Sequence, residues 1–146
     1  MSKLVLLIED DADDERLTLR ALRKNNVNNE VVVACDGQEA IDYLFRQGKF
    51  QDAGPAALPA VIILDLKLPK VSGLEVLNRI RSSEPTQSIP VVVMTSSDDP
   101  TQIEAAFLAG ANSFVRKPDN PADFSETVLN VSMYWLILNE TIPVVA

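Results

Sequence analysis

Short apolar runs alternate along the chain with longer stretches in which apolar residues recur every three or four positions. Lys3 to Ile8, Glu30 to Ala34, Ala60 to Leu64, Ile89 to Met94 and Ser113 to Val115 are rich in Val, Ile and Leu and read as strands. The first, third and fourth are almost continuously apolar, as strands covered by helices on both faces are. Helical periodicity fills the intervals. One helix is predicted from about Ala12 to Lys24, and a second from Gln38 to Gln47 with Ala40, Ile41, Leu44 and Phe45 on one side. A third begins at Ser72, where Ser72-x-x-Glu75 has the form of a capping box ahead of Leu74, Leu77 and Ile80. A fourth has Asp99 as N-cap, Pro100 in the first turn and Gly110 placed to end it. The last starts at Asn120-Pro121 and sets Phe124, Val128, Val131 and Trp135 on one stripe. Strand and helix thus alternate five times, which predicts an α/β fold with a parallel sheet wrapped by helices.

Two segments exceed a minimal version of this plan. Gly48 to Pro59 (GKFQDAGPAALP) is a long connection that reads as a passive surface loop sooner than as a kinase contact. Tyr134 to Leu138, followed by Thr141 to Ala146, is unusually apolar, and a dimer surface is expected there ahead of simple packing onto the sheet.

Composition narrows the chemistry. With 146 residues the chain is expected to form one domain with its own core, extended from about residue 134 by a helix end and tail. No apolar run approaches the roughly 20 residues of a membrane span. Met1 to Val5 carries no signal-peptide cleavage pattern and Cys35 stands alone, so a cytoplasmic protein is expected. A net charge of −8 argues against nucleic acid as a partner. The sequence contains no histidine. That removes Ser-His-Asp and Cys-His catalysis and His-containing zinc sites. Any phosphohistidine chemistry must use a histidine on another protein.

In open α/β sheets, ligands bind beyond the carboxyl ends of the strands. Those ends run into Glu9-Asp10-Asp11, Asp65, Thr95-Ser96 and Lys117-Pro118. Crowded carboxylates repel by about 4 kcal/mol for a pair 4 Å apart at a dielectric near 20. Mg²⁺, which takes oxygen ligands and retains exchangeable waters, is the natural neutralising ion. A carboxylate beside it can act as a nucleophile toward a phosphoryl group. Thr95 and Lys117 can then meet the transferred oxygens, where transition-state charge resides. Taken singly, each residue has a plainer reading. Glu9 to Asp11 can serve the dipole of the first helix, Asp65 a turn, Thr95 a loop and Lys117 the solvent. Four suitable residue types at four strand exits are harder to assign to chance.

Val5-Leu6-Leu7-Ile8-Glu9-Asp10-Asp11, Ile63-Leu64-Asp65-Leu66-Lys67-Leu68-Pro69 with Ser72-Gly73, Pro90 to Ser96, and Gly110 to Pro118 together resemble the receiver domain of bacterial response regulators. The resemblance implies a flavodoxin-like (βα)5 fold of strand order 2-1-3-4-5. It implies Asp65 as phosphoacceptor, and Glu9, Asp10 and Asp65 as Mg²⁺ ligands together with the backbone carbonyl of Lys67. Thr95 and Lys117 would contact the phosphoryl group, Phe114 would change rotamer with Thr95, and the Lys117–Pro118 bond would be cis. The only catalysis implied is the protein's own aspartyl phosphorylation and dephosphorylation. Pro69-Lys70, the long connection, Trp135-Leu136 and Ile142-Pro143 narrow the resemblance to small regulators paired with cyanobacterial phytochromes. A sensor histidine kinase, a phytochrome by this resemblance, is the expected donor. Lys67 departs from the Asn often found in such regulators, and Phe114 from the common Tyr.

Phosphorylation is expected to signal through protein contacts at the fourth helix, fifth strand and fifth helix. No effector domain is expected after the fifth helix. One rival reading is a non-phosphorylatable pseudo-receiver that acts as a scaffold. Another is a flavin or nucleotide binder, which the acidic run Glu9 to Glu15 opposes, because without a metal it would repel a phosphate ester.

Overall fold

The computed structural model describes residues 3–24, 29–55 and 57–140. Five strands and five helices alternate: β1 (Lys3–Ile8), α1 (Ala12–Arg23), β2 (Asn29–Ala34), α2 (Gly37–Phe45), β3 (Val61–Leu64), α3 (Gly73–Arg81), β4 (Val91–Thr95), α4 (Pro100–Leu108), β5 (Ser113–Arg116) and α5 (Pro121–Met133). All neighbouring strands pair in parallel, in the order β2-β1-β3-β4-β5. The expected doubly wound fold and strand order are therefore present.

Strand side chains alternate between two cores, because successive residues point to opposite faces of a sheet. Leu6, Ile8, Ile62, Leu64, Val91 and Val93 pack with Ile41 and Leu44 of α2 and with Val76, Leu77 and Ile80 of α3. Val5, Leu7, Val61, Ile63, Val92 and Met94 pack with Ala21 and Leu22 of α1 and with Phe124 and Val128 of α5. Burying one such large side chain contributes about 1.5–3 kcal/mol, so both sheet faces are committed and the register cannot slip.

Each helix starts on a polar cap. Asp11, Asp36, Ser72, Asp99 and Asn120 accept from backbone N–H groups in the first turns of α1 to α5, each satisfying donors that the helix leaves orphaned. At the end of α4, Gly110 (φ +108°) turns the chain out, and a Cβ there would lie 2.7 Å from Arg81 Cγ.

Local differences from expectation have physical causes. β4 starts at Val91, since Pro90 lacks an N–H, although its carbonyl still accepts from Ile62 N at 2.9 Å. α2 ends at Phe45, where Arg46 takes the left-handed conformation (φ 52°). The Arg46 guanidinium lies 4.8 Å from the Tyr43 ring centre and 5.8 Å from that of Phe50, which offsets the backbone cost. The long connection is also pinned. A 3-10 turn at Gly48–Phe50 sets Phe50 edge-on to Tyr43 at 5.4 Å, and Tyr43 OH donates to Ala57 O.

α5 continues as a π-helical turn, Tyr134–Leu138, in which the Lys3 ammonium donates to the Leu136 carbonyl. The turn divides the apolar end. Leu136 is buried and Trp135 packs on the α1/α5 core, while Tyr134, Ile137 and Leu138 are exposed. The tail from Thr141, with Ile142-Pro143, lies outside the described residues. No described helix is long and apolar enough to cross a membrane.

Candidate functional site

The carboxyl ends of β1, β3, β4 and β5 converge on one rim, and the sheet ladder runs on into the site. Glu9 N donates to Ala34 O at 3.0 Å, Asp65 N to Ile8 O at 3.1 Å and Lys117 N to Thr95 O at 2.8 Å. Each key backbone is thus locked to the strand beside it. Gly73 tightens the frame further, since a Cβ there would lie 2.5 Å from the Asp65 carbonyl oxygen, so only glycine lets α3 start so close beneath the loop.

Lys117 Nζ is the hub. It donates to Glu9 Oε1 at 2.7 Å, to Asp14 Oδ2 at 2.8 Å and to Asp65 Oδ2 at 2.8 Å. An ammonium has three N–H donors, so all three are engaged by carboxylates. Asp65 Oδ1 accepts from Lys67 N at 3.1 Å, which fixes the carboxylate plane from its other side. Burial raises the Glu9 carboxyl to about 7 against the opposing pull of Lys117, and Asp65 adds to the rise. For Lys117, burial would favour the neutral amine. The hydrogen bonds to Asp14, Asp65 and Glu9 outweigh it and hold the group cationic, above its ordinary value.

Glu9, Asp10 and Asp65 each offer an oxygen, and the three lie within 4.8 Å of one another. Glu9 and Asp65 are buried and Asp10 is exposed, on the open side of a cleft of about 550 Å³ lined also by Asp14, Lys67, Ser96 and Lys117. All-oxygen donors of this charge fit a hard divalent cation such as Mg²⁺ or Mn²⁺ and exclude a soft-metal site. With Asp14 included, four carboxylates gather where the cations are Lys117 and Lys67, so a further cation has room and electrostatic cause to bind.

Thr95 is fully buried, and its hydroxyl oxygen has no hydrogen-bond partner. Phe114, paired in register with Val93, is partly buried against the core shared by α2 and α3. One expectation is corrected. No described peptide bond is cis, so Lys117–Pro118 is trans. Trans is favoured by roughly 0.5–1 kcal/mol before proline, and Lys117 reaches all three carboxylates from that isomer. One site residue went unread in the sequence, namely Asp14. It lies three residues after the N-cap Asp11, so it shares that end of the helix and points its carboxylate back to the rim. Its sequence signal was the acidic run after β1, which equally suits a helix dipole.

An oxygen-lined acidic cleft at the strand ends of a five-stranded doubly wound sheet, with a buried lysine opposite, fits the receiver-domain class of protein. The chain belongs to the response regulator receiver domain family, whose model matches residues 5–129. Within it the chain is similar to Response regulator Rcp1 of Synechocystis, at 33% identity over 134 residues, covering 92% of this chain and 89% of Rcp1. It is also 36% identical, over 94% of its length and 86% of the relative's, to a probable methanogenesis regulatory protein, FilR2, of Methanothrix harundinacea. The structure of the phosphorylated cyanobacterial phytochrome response regulator RcpA superposes with a TM-score of 0.90 at 34% identity, covering 98% of this chain and all of that one. The Mn²⁺-bound form of Rcp1 gives 0.89 at 31%, covering 97% and 99%.

Proposed function

We propose that this receiver takes a phosphoryl group onto Asp65 from a phosphohistidine of a sensor kinase, a phytochrome by its relatives, and signals through protein contacts. The observation that carries this reading is the Asp65 carboxylate itself, held between the Lys67 N–H and the Lys117 ammonium beside Glu9 and Asp10. An Asp65 oxygen attacks phosphorus, the new O–P bond forms, and the P–N bond to the donor imidazole breaks with its electron pair returning to the ring. Lys117 meets the charge on the equatorial oxygens, and the Thr95 hydroxyl gains the partner it lacks. Glu9, Asp10, Asp65 and the Lys67 carbonyl would hold Mg²⁺. When bound, that ion neutralises the carboxylates and the phosphoryl oxygens.

The chemistry proposed is its own phosphorylation and dephosphorylation, carried by a receiver domain over residues 1–146 and placed in the cytoplasm. Its net charge of −8 disfavours nucleic acid, so its output is a protein surface. Phe107, Leu108, Met133, Tyr134, Ile137 and Leu138 are the exposed large apolar side chains on α4, α5 and the π-turn, and they offer a surface for self-association or a target. Movement of Thr95 toward the phosphoryl group, with Phe114 following, would alter that face as a shift between two populations.

Intact mass after incubation with acetyl phosphate tests the chemistry. A gain of one phosphoryl group that requires both a divalent cation and Asp65, and is absent in Asp65→Asn, is the expected result. Folded wild-type protein that gains nothing would instead favour the scaffold reading.

A further inference from the structure

We infer that Asp14 is a positioning residue for Lys117 that competes with the incoming phosphoryl group and thereby limits how readily Asp65 is phosphorylated. The inference rests on the phosphoacceptor reading of Asp65.

Three features set Asp14 apart from the other two partners of Lys117. Glu9 and Asp65 belong to the oxygen triad suited to a cation, whereas Asp14 does not. Cation binding gives Glu9 and Asp65 a new positive partner and leaves the Asp14 carboxylate facing Lys117 alone. Asp14 is also the most accessible of the three, its side chain 27% exposed against 3% and 9%, so its bond can be exchanged for water at the least cost. Finally, its backbone is fixed. Asp14 N donates to the cap Asp11 Oδ1 at 3.0 Å, and Asp14 O accepts from Thr18 Oγ1 at 2.7 Å. The carboxylate therefore stands over the lysine because of where α1 begins.

Lys117 has no spare donor. To reach a phosphoryl oxygen it must release a carboxylate, and Asp14 is the one whose release disturbs neither the nucleophile nor the triad. Asp14 also opposes the arriving dianion directly as a like charge. Both effects act in one direction, toward slower phosphorylation and weaker retention of a phosphoryl mimic.

The test is an intact-mass time course with acetyl phosphate and Mg²⁺, in which the Asp65 oxygen–phosphorus bond forms and acetate leaves, together with a beryllofluoride titration. Asp14→Ala should react and bind the mimic about three- to tenfold better than wild type, the range for a partly exposed charge pair. Asp14→Glu, which keeps a carboxylate, should return toward wild-type values. Asp13→Asn removes a charge from the same turn, but Asp13 is paired with Arg16 at 3.1 Å. It should change the rate by less than about twofold. Should Asp14→Ala lose its fold by circular dichroism, Asp14→Asn carries the same test. Rates and mimic affinity at or below wild type in a folded neutral variant would overturn the inference. An equal gain in Asp13→Asn would overturn it too, because general charge would then explain the effect. Failure of the wild type to gain a phosphoryl group would instead sink the phosphoacceptor reading.

Discussion

Lys117 and Arg81 are cations drawn into the protein at opposite rims of the same sheet. Lys117 meets three carboxylates at the carboxyl ends of the strands. Arg81, at the end of α3, meets neutral oxygens only. Its Nε donates to Gly110 O at 2.9 Å, Nη1 to Gln87 O at 3.0 Å and Ile89 O at 2.8 Å, and Nη2 to Asn112 Oδ1 at 2.8 Å. Burial lowers the Arg81 guanidinium from its ordinary value, while Lys117 is held above its own. Arg81 cannot lose its proton in practice, so its bonds form a fixed brace across α3, the approach to β4 and the α4–β5 turn. Two of the acceptors of Lys117, Glu9 and Asp65, are carboxylates that a metal ion can engage in its place, which frees the ammonium to meet other oxygens. The same physical device, a cation taken out of water, gives rigidity where its acceptors are neutral and exchange where they are charged.

The comparison is broken most sharply at Lys117. In Lys117→Ala the phosphoryl oxygens lose their fixed positive charge, and phosphorylation by acetyl phosphate should fall by about 10²–10³-fold. A time course by intact mass reads this directly. A rate within a few-fold of wild type would show that the lysine is a structural counter-ion and nothing more.

Arg81→Ala should do the reverse. Three backbone carbonyls at a half-buried rim lose the Arg81 donor and Asn112 Oδ1 is left with Val91 N alone, which predicts a loss of about 2–4 kcal/mol in a denaturant melt. The phosphorylation rate of the folded fraction should stay near wild type. Arg81→Lys should recover little, because one ammonium cannot span acceptors that the planar fork reaches on three sides. A stable Arg81→Ala protein with impaired phosphorylation would invert the assignment of roles to the two rims.

The two rims also differ in how far they could be read from sequence. Glu9, Asp10, Asp65, Thr95 and Lys117 stand at strand exits, and parallel topology sends every such exit to one rim, so strand order was enough to bring them together. Arg81 gave no such signal. Its acceptors are backbone carbonyls and one amide far along the chain, and any residue type supplies a carbonyl. Asp14 was visible as a charge but not as a ligand of Lys117, since an acid in the first helical turn is explained equally well by the macrodipole. The left-handed Arg46 and the π-turn at Tyr134–Leu138 are products of tertiary stacking and burial, which override helical periodicity. The expected cis bond came from resemblance alone, and the trans isomer serves the geometry.

A pair with one exposed partner completes the scale. Lys70 Nζ lies 3.4 Å from Asp36 Oδ2, joining the β3–α3 loop to the start of α2, and the Lys70 side chain is 68% exposed. The Asp36 carboxyl is held below its ordinary value, first by the Glu39 N–H it caps and then by Lys70. A carboxylate whose folded pKa is depressed adds stability above its unfolded pKa, near 3.8, and loses it as pH falls through the lower folded value. Asn caps a helix about as well as Asp, so Asp36→Asn keeps the cap and removes the charge. The cost at pH 7 should be a few tenths of a kcal/mol, as for surface pairs. It should shrink below about pH 4 and vanish once wild-type Asp36 is protonated. Denaturant melts of both proteins from pH 7 down to the acid limit of folding measure the difference. A gap that stays constant with pH would place the effect in the cap geometry and take Asp36 out of the comparison. A gap that closes with acid would put all three cations on one axis, where burial and the charge of the acceptors decide what each contributes.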